Sequence, residues 1–181
     1  MLVQLESPLD QAQVNHLLIL QYTLQSRYEE AIAIGQQALA LLGVPVPPLN
    51  LETVVEQQLA EFKAQLGDHP VASLLENTPI ESPTIRAAVK ILGTLQPTAY
   101  RTNPQLFMWV VSTIINLAIR HGDAPEVCYA YGAYGILLSG LWGDYARGYE
   151  FGQMSLDLSR KLNNPMQECK ACMVLGSFLN H

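Results

Sequence analysis

The chain has 181 residues, of which 49% are apolar and only 14% are charged, and its formal net charge is −6. Soluble domains usually carry roughly 25% charged residues, so we expect another domain or subunit to cover part of the surface. The acidic balance, with no block of like charges, argues against nucleic acid and anionic membranes as partners.

Targeting signals are not evident in the sequence. Residues 1–13 lack the basic and apolar regions of a secretory signal. The longest apolar run, residues 107–119, includes three polar residues and is shorter than the ~20 residues of a membrane span. The cysteine count of 3 is odd and fits a reducing compartment better than a disulfide framework. The sequence therefore predicts a soluble cytoplasmic protein.

Prolines mark the beginnings of several predicted helices. They follow Ser or Asn at positions 7–8, 82–83, 103–104 and 164–165. In each pair the polar side chain can cap a helix, and Pro can occupy the first turn, where no N–H is needed. Between these marks apolar residues recur every three or four positions. The predicted helices are 8–25, 28–42, 51–66, 83–96, 104–121, 124–140, 144–162 and 165–180, and a short helical turn can form near 70–76.

Other residues refine this prediction. Asn50, Asp123 and Asp144 are further candidate caps. Pro97 is expected to end or kink its helix, because proline lacks an N–H donor and crowds the preceding turn. Residues 43–50 are rich in proline and are expected to form a stiff, extended connection.

The first two predicted helices carry the residue spacing of a tetratricopeptide hairpin. The matching positions are Leu18, Tyr22, Tyr28, Ala31 and Ala38. Ala31 would let the second helix approach the first closely, and Tyr22 would fill the space beside it. Tyr28 would close the turn. We therefore predict that these two helices form a tetratricopeptide-like pair.

A glycine-rich segment, residues 131–152, fits the same template around a turn at residues 143–145. Small residues recur along one face of each of two successive helices there, from Cys128 to Ser159. Two such stripes allow helix backbones to pack unusually closely. The predicted structural seam consists of Gly132, Gly135, Ser139, Gly148, Gly152 and Ser155.

Close packing must offset the cost of these glycines, which is about 1 kcal/mol each relative to alanine inside a helix. Tyr131, Tyr134, Tyr149 and Phe151 are expected to supply buried area around the seam. A phosphate-binding loop is an alternative, but the segment lacks the glycine-rich nucleotide motifs and a preceding strand. A hinge is a third interpretation. We favour a packed helical hairpin.

Residues 104–121 are apolar nearly all round, with a narrow polar stripe of Ser112, Asn116 and Arg120. Such a helix should be central, with neighbours on two sides. The chain as a whole is predicted to be all-α, a right-handed α-α superhelix (a TPR-like α-solenoid) of about eight or nine helices. Residues 1–181 are expected to form one domain, a fragment of a larger protein.

No catalytic or metal site is predicted, and no cofactor is expected. Cys169 and Cys172 form a C-x-x-C pair but lack the βαβ context of a redox site and the second pair of a zinc site. His121 could be placed near Asp123 and Glu126, but a polar residue at a helix end needs no catalytic role. We favour structural roles for all of these side chains.

A partner-binding face is the remaining candidate site. In tetratricopeptide folds the first helix of each hairpin lines the concave face. By position this face would include Gln13, His16 and Thr23 early in the chain and Leu137 and Leu141 later. The later part is apolar, so it could equally be an internal contact.

The sequence resembles a helical region of large bacterial multidomain signalling kinases. The resemblance lies in residues 22–47, 106–139 and 143–162, and its most specific parts are "HGDAPEVCYAYGAYG" and "GDYARGYEFG". In such proteins a protein-kinase-like domain and an AAA-type ATPase precede the helical region, and sensor and histidine-kinase domains follow it. The catalytic motifs of those domains do not occur in this chain. The resemblance implies a scaffold or regulatory solenoid.

We therefore expect a non-enzymatic domain that mediates interdomain or protein–protein contacts in signal transduction. Its partners would be other domains of the same parent protein, another protein, or a second copy in a homodimer. Ser177, Phe178 and Leu179, which end an uncapped helix, are expected to face such a partner. The alternative is a small-molecule sensor that holds its ligand among Trp109, Tyr131, Tyr134 and Trp142.

Overall fold

The computed structural model describes residues 7–179, and this part of the chain is an all-α, solenoid-like superhelix, as predicted. A 3-10 turn spans Val71–Glu76 and a π-helical turn spans Leu175–Leu179. The α-helices are Pro8–Leu24 (α1), Tyr28–Leu41 (α2), Leu51–Leu66 (α3), Pro83–Thr102 (α4), Pro104–His121 (α5), Pro125–Trp142 (α6), Tyr145–Lys161 (α7) and Pro165–Val174 (α8).

Side-chain caps fix most helix starts where the sequence predicted them. At α1, α4, α5 and α8 the polar residue before proline accepts a hydrogen bond from a backbone N–H of the first turn. Asp144 caps α7 in the same way. Asn50 precedes α3 in a left-handed conformation without a side-chain cap bond. The prediction for Asp123 was wrong, because Ala124 occupies the cap position of α6 and the Asp123 side chain is buried.

Pro97 does not end its helix. α4 continues to Thr102, so the predicted end at residue 96 was wrong. Leu95, Thr98 and Ala99 on this stretch are buried, and the Thr98 hydroxyl lies 3.0 Å from that of Thr23 on α1. Tertiary packing of this kind outweighs the hydrogen bond that proline removes.

The last helix also departs from its predicted form. α8 ends at Val174, and the backbone continues as the π-helical turn to Leu179. The predicted residue 180 lies outside the described residues. Leu179 is buried, whereas Ser177 and Phe178 are exposed. The expectation that all three face a partner is therefore wrong for Leu179, which packs inside the domain.

α1, α4, α6 and α8 contact one another in that order, and we call this row of four helices the inner layer. α5 contacts α3, α4 and α6. Most of the α5 side chains are buried, as predicted for a central helix. None of the helices within residues 7–179 has the length and apolar character needed to cross a membrane.

The polar stripe of α5 meets a polar partner on α3. The Ser112 hydroxyl donates to Gln58 Oε1 at 2.7 Å, and Asn116 Nδ2 donates to the Gln58 carbonyl oxygen at 2.7 Å. At the exposed end of the stripe, Arg120 pairs with Glu61 at 2.6 Å. Buried polar groups need such partners, so this network fixes the register of α5 against α3.

An aromatic cluster fills the space between α3, α6 and α7. Phe62 of α3 contacts Tyr134 edge-on with ring centroids 5.4 Å apart, and Tyr134 contacts Phe151 at 4.8 Å. Tyr131 completes the cluster and is fully buried. Tyr149, which was expected to join it, is exposed instead. The cluster is a packed core and supports the close approach of α6 and α7.

Candidate functional site

The seam residues of α6 and α7 are close enough for backbone contact. A Cβ atom added at Gly135 would lie 2.5 Å from the Gly148 carbonyl oxygen, and one added at Gly148 would lie 2.7 Å from the Gly135 oxygen. The Ser139 hydroxyl lies beside Gly148. Only glycine allows this separation, because real Cβ atoms do not approach backbone oxygen so closely.

The other seam glycines make two further close contacts. Gly132 on α6 lies against α7, and Gly152 on α7 lies against the π-helical turn. A Cβ at Gly132 would lie 3.2 Å from Ser155 Oγ, and Ser155 donates a 2.6 Å hydrogen bond to the Cys128 carbonyl oxygen. A Cβ at Gly152 would lie 2.7 Å from a methyl carbon of Leu179. The small residues of α7 therefore allow close packing against both α6 and the π-helical turn.

The tetratricopeptide-like positions lie between α1 and α2. Ala31 and Ala38 are fully buried, and Leu18, Tyr22 and Tyr28 are half-buried. Sequence reasoning missed Gly35 on the same helix. A Cβ there would lie 2.5 Å from Leu95 on α4, so Gly35 sets how closely α2 approaches α4. The recurrence of small residues at 31, 35 and 38 was the available signal.

The predicted partner-binding residues do not share one exposed face. Gln13 and Leu141 are exposed, but Leu137 is buried in the core. His16 and Thr23 are half-buried and bond to α4: His16 Nδ1 lies 3.0 Å from Thr94 Oγ1, and Thr23 bonds to Thr98. Of the two apolar residues of this face, Leu137 therefore makes an internal contact, whereas Leu141 is exposed.

A cavity of about 350 Å³ lies where the inner-layer helices meet, and we call it the inner groove. It contains two of the predicted partner-binding residues together with side chains that sequence reasoning did not single out. Its lining is His16, Leu20, Thr23, Lys90, Gly93, Thr94, Gln96, Pro97, Glu126, Tyr129, Met166, Gln167 and Lys170.

Two buried glutamines among the lining residues of the inner groove have unpaired polar atoms. Gln96 is 1% exposed, and neither its amide nitrogen nor its amide oxygen has a hydrogen-bond partner within the described chain. Gln167 is also buried, with an unpaired Oε1. A buried, unsatisfied polar group costs about 1–3 kcal/mol, so native proteins usually pair it. Here the unpaired atoms are enclosed by protein and do not open into the groove.

Charged side chains of both signs also line the inner groove. Lys90 and Lys170 are cationic, and Glu126 is anionic. The Lys170 ammonium lies 5.5 Å from the centroid of the Tyr129 ring. Burial and the nearby Lys90 charge lower the pKa of His16, so its imidazole is neutral at pH 7. The groove can therefore offer hydrogen bonds, two cations and one anion.

Replacing Gln96 by leucine tests whether its amide is costly to the fold. Leucine fills similar space and leaves no polar atom unpaired, so we expect Gln96→Leu to raise the free energy of unfolding by about 1–3 kcal/mol. Urea unfolding monitored by circular dichroism measures the change. Gln37→Leu, at an exposed position on α2, is the control and should change stability little. Destabilisation by Gln96→Leu would show that the amide has a structural partner.

In the part of the chain that the structure describes, cysteine and histidine side chains do not assemble into a second site. Cys169 and Cys172 are exposed free thiols, and burial raises the pKa of the Cys128 thiol to about 12. His121 is exposed while Asp123 is buried. Across residues 7–179, no three His, Cys, Asp or Glu side chains lie close enough together to hold a metal ion.

Asp123 joins the start of α6 to the loop before α4. Its backbone N–H donates to the Thr78 carbonyl oxygen at 2.8 Å, and its own carbonyl oxygen accepts from Ile80 N–H at 3.0 Å. The carboxylate is 4% exposed, and neither oxygen has a hydrogen-bond partner in the described chain. Burial raises its pKa to about 6, against the opposing influence of Asn77 and Lys161.

A known signalling protein is similar in sequence to the chain. It is hybrid signal transduction histidine kinase G of Dictyostelium discoideum, which is 20% identical over 181 aligned positions. The alignment covers 89% of this chain but only 5% of that kinase, so the chain spans a small part of its relative's length. No protein-family model matches the chain, and no solved structure matches it. The similarity links this helical chain to a signal-transduction kinase.

Proposed function

We propose that the chain is a non-catalytic scaffold or regulatory domain that mediates contacts between domains of a signal-transduction kinase. The observation that carries this proposal is an exposed apolar face on α1. Val14, Leu17, Leu20 and Leu24 are 42%, 61%, 41% and 86% exposed. Similarity to a histidine kinase supports the signalling context. The tetratricopeptide family, the bacterial source and the cytoplasmic location remain part of the same proposal.

The composition of α1 favours a covered face over a solvated one. The positions 14, 17, 20 and 24 fall on one side of the helix. Asp10 is the only acidic or basic residue between Pro8 and Leu24, apart from His16. Surface helices usually carry charges on their outer side. An apolar, charge-poor face of this kind usually marks an interaction site.

We assign this face to another domain of the same polypeptide. The match covers 5% of the related kinase, so that kinase is about twenty times longer than the matched region. A polypeptide of that length has room for such a neighbouring domain. Stacked helical units also bury their apolar faces against neighbours along the chain. A second copy of the chain, or a separate protein, would be a different occupant.

Leu17→Glu is expected to disrupt the proposed interdomain contact without destabilising the isolated chain. Leu17 is exposed, so the free energy of unfolding of the isolated chain should change by less than about 0.5 kcal/mol. In the protein encoded by the complete open reading frame, a buried glutamate would break the interdomain contact and change the rate of phosphoryl transfer. Kinase assays and thermal unfolding measure both effects.

Leu49→Glu is the matched control, because Leu49 is also an exposed leucine but lies in the connection before α3. It should leave both readouts unchanged. If Leu17→Glu has no effect on the complete gene product, the proposal fails. If the isolated chain sediments as a dimer that Leu17→Glu dissociates, the occupant is a second copy instead.

Small-molecule sensing is a second candidate function, and the inner groove supports it. The aromatic residues that the sequence predicts for this role are unsuitable. Trp109, Tyr131 and Tyr134 are buried in the core, and Trp142 is exposed beside the Lys63 ammonium. The groove instead combines a cavity with charged side chains of both signs. A sensor at this position would report ligand binding to the attached domains through the packing of the inner layer.

A further inference from the structure

We infer that a cleft beside α7 binds a basic, amphipathic helical segment of a partner polypeptide. The cleft lies between the 3-10 turn Val71–Glu76 and residues 149–157 of α7, and we call it the α7 cleft. In the row of contacting helices, α4 and α6 come between α1 and α7, so this surface is separate from the apolar face of α1. The inference rests on the proposed scaffold role and names the chemistry of one partner.

The interior of the α7 cleft is apolar. Val71 and Leu75 of the 3-10 turn line it together with Met154 of α7, and the exposed Tyr149 ring lies beside them. The Tyr149 hydroxyl accepts a hydrogen bond from Gln153 Nε2 at 2.8 Å, which holds the ring in place. A cavity of about 350 Å³ with these walls can bury apolar side chains of a partner.

Lys161 joins the two walls of the α7 cleft. Its ammonium on α7 donates to the carbonyl oxygens of Leu75 and Asn77 at the end of the 3-10 turn, the second at 3.1 Å. Val71 and Leu74 are buried, so the turn is also anchored in the core. The cleft is therefore formed in the free chain. A preformed site loses less free energy to ordering when a partner binds.

Two carboxylates of the α7 cleft lack an ion-pair partner in the described chain. They belong to Glu150 and Asp157, and the lining contains no Lys or Arg. Arg160 and Lys161 follow Asp157 at the two spacings usual for helical ion pairs. Arg160 instead pairs with Glu168 at 2.9 Å, and Lys161 bonds to the 3-10 turn. The uncompensated negative charge therefore indicates a basic partner.

The spacing of these charges favours a polypeptide segment over a small amine. Glu150 and Asp157 lie on one face of α7 about 10 Å apart along the helix axis. A single ammonium cannot contact both, whereas basic side chains on successive turns of a partner helix can. Tyr145, exposed one turn before Tyr149, extends the contact surface beyond the cavity. A second copy of this chain matches poorly, because its net charge is −6.

Isothermal titration calorimetry with an amphipathic helical peptide of leucine and lysine tests the inference. We expect saturable binding of one peptide to each purified chain. The analogue with glutamate in place of every lysine should bind at least about tenfold more weakly, because its charges repel those of Glu150 and Asp157. Equal affinity for the two peptides would overturn the inference.

Charge reversal at the cleft locates the bound peptide. The double variant Glu150→Lys, Asp157→Lys should weaken binding at least about tenfold. Both residues are exposed, so circular dichroism should show an unchanged fold. The control Glu56→Lys, Glu81→Lys makes the same change in net charge at two exposed positions outside the cleft. Equal weakening in both double variants would mean non-specific attraction and would overturn the inference.

Filling the α7 cleft tests the role of its apolar interior. Ala72→Trp places a large side chain at an exposed position of the lining, so it should weaken peptide binding at least about tenfold and leave the fold intact. Ala60→Trp, at an exposed position of α3 outside the cleft, is the control and should not change the affinity. Unaltered binding to Ala72→Trp would place the peptide elsewhere and contradict the inference.

Phenethylamine separates a small-amine site from a docking site. It has one ammonium and one ring, so it should bind more weakly than the leucine–lysine peptide. Equal or tighter binding would identify a small-amine site and overturn the docking inference. Absence of peptide binding would also overturn it, while the Leu17→Glu experiment on the complete gene product would still test the scaffold role.

Discussion

Gly135→Ala is expected to lower the free energy of unfolding by about 2–4 kcal/mol, the range of severe overpacking. The added methyl group would lie 2.5 Å from the Gly148 carbonyl oxygen, which belongs to the backbone of α7 and cannot rotate away. α6 and α7 must therefore separate, and the aromatic cluster beside them must repack. The gain in helix propensity of about 1 kcal/mol offsets only part of this cost.

Gly140→Ala provides the matched control on the same helix. A Cβ atom at Gly140 would have no neighbour within 4 Å, so alanine there should stabilise the helix by up to about 1 kcal/mol. Urea unfolding of both variants measures the difference. If the two substitutions have the same effect, the close contact between α6 and α7 does not exist.

Gly152→Leu should also destabilise the domain, for a related but distinct reason. The nearest atoms to an added Cβ are side-chain methyl groups of Leu175 and Leu179, which can move. Alanine should therefore be tolerated better here than at Gly135. Leucine is too large and should displace the π-helical turn from α7. Thermal unfolding measures the loss, and an unchanged melting temperature would contradict this account.

Asp123→Asn is expected to stabilise the protein at pH 7.5 by up to about 3 kcal/mol, the equivalent of its pKa shift. Burial raises the pKa of Asp123 to about 6, from an unfolded value near 3.8. Its contribution to stability is therefore fully present below about pH 4 and is lost as the pH rises through 6. Asparagine keeps the shape but does not ionise, so it avoids the loss.

The pH dependence identifies the cause of this effect. The difference in unfolding free energy between the variant and the wild type should shrink below pH 6 and vanish near pH 4. Asp157→Asn, which removes an exposed carboxylate from α7, should give no such profile. A destabilised Asp123→Asn at pH 7.5 would mean that the carboxylate has a charged partner in the folded protein.

Helix starts and the fold class were predictable from the sequence because their causes are local. Ser82 and Asn103 each precede a proline, and the capping bond of each involves a backbone group three residues later. Apolar residues on nearly every side of α5 likewise predicted that this helix is central. Local hydrogen bonding and apolar periodicity act within one or two turns, so they can be read without tertiary contacts.

Tertiary features were not predictable in the same way. The path of α4 through Pro97 depends on burial against other helices, and no local rule reports it. The inner groove brings Gln96 together with Gln167, which lies far along the chain on α8. A lone glutamine has no sequence signal that distinguishes a solvated amide from a buried, unpaired one. The inner groove could therefore be found only in the three-dimensional structure.

Hydrogen–deuterium exchange tests most directly whether the chain works through contact with a neighbouring domain. The rates of α1 amides would be compared between the isolated chain and the protein encoded by the complete open reading frame. We predict slower exchange across residues 14–24 in the complete protein, because a neighbouring domain covers this face, with little change in the buried helix α5. Equal rates in α1 in the two proteins would contradict the proposal.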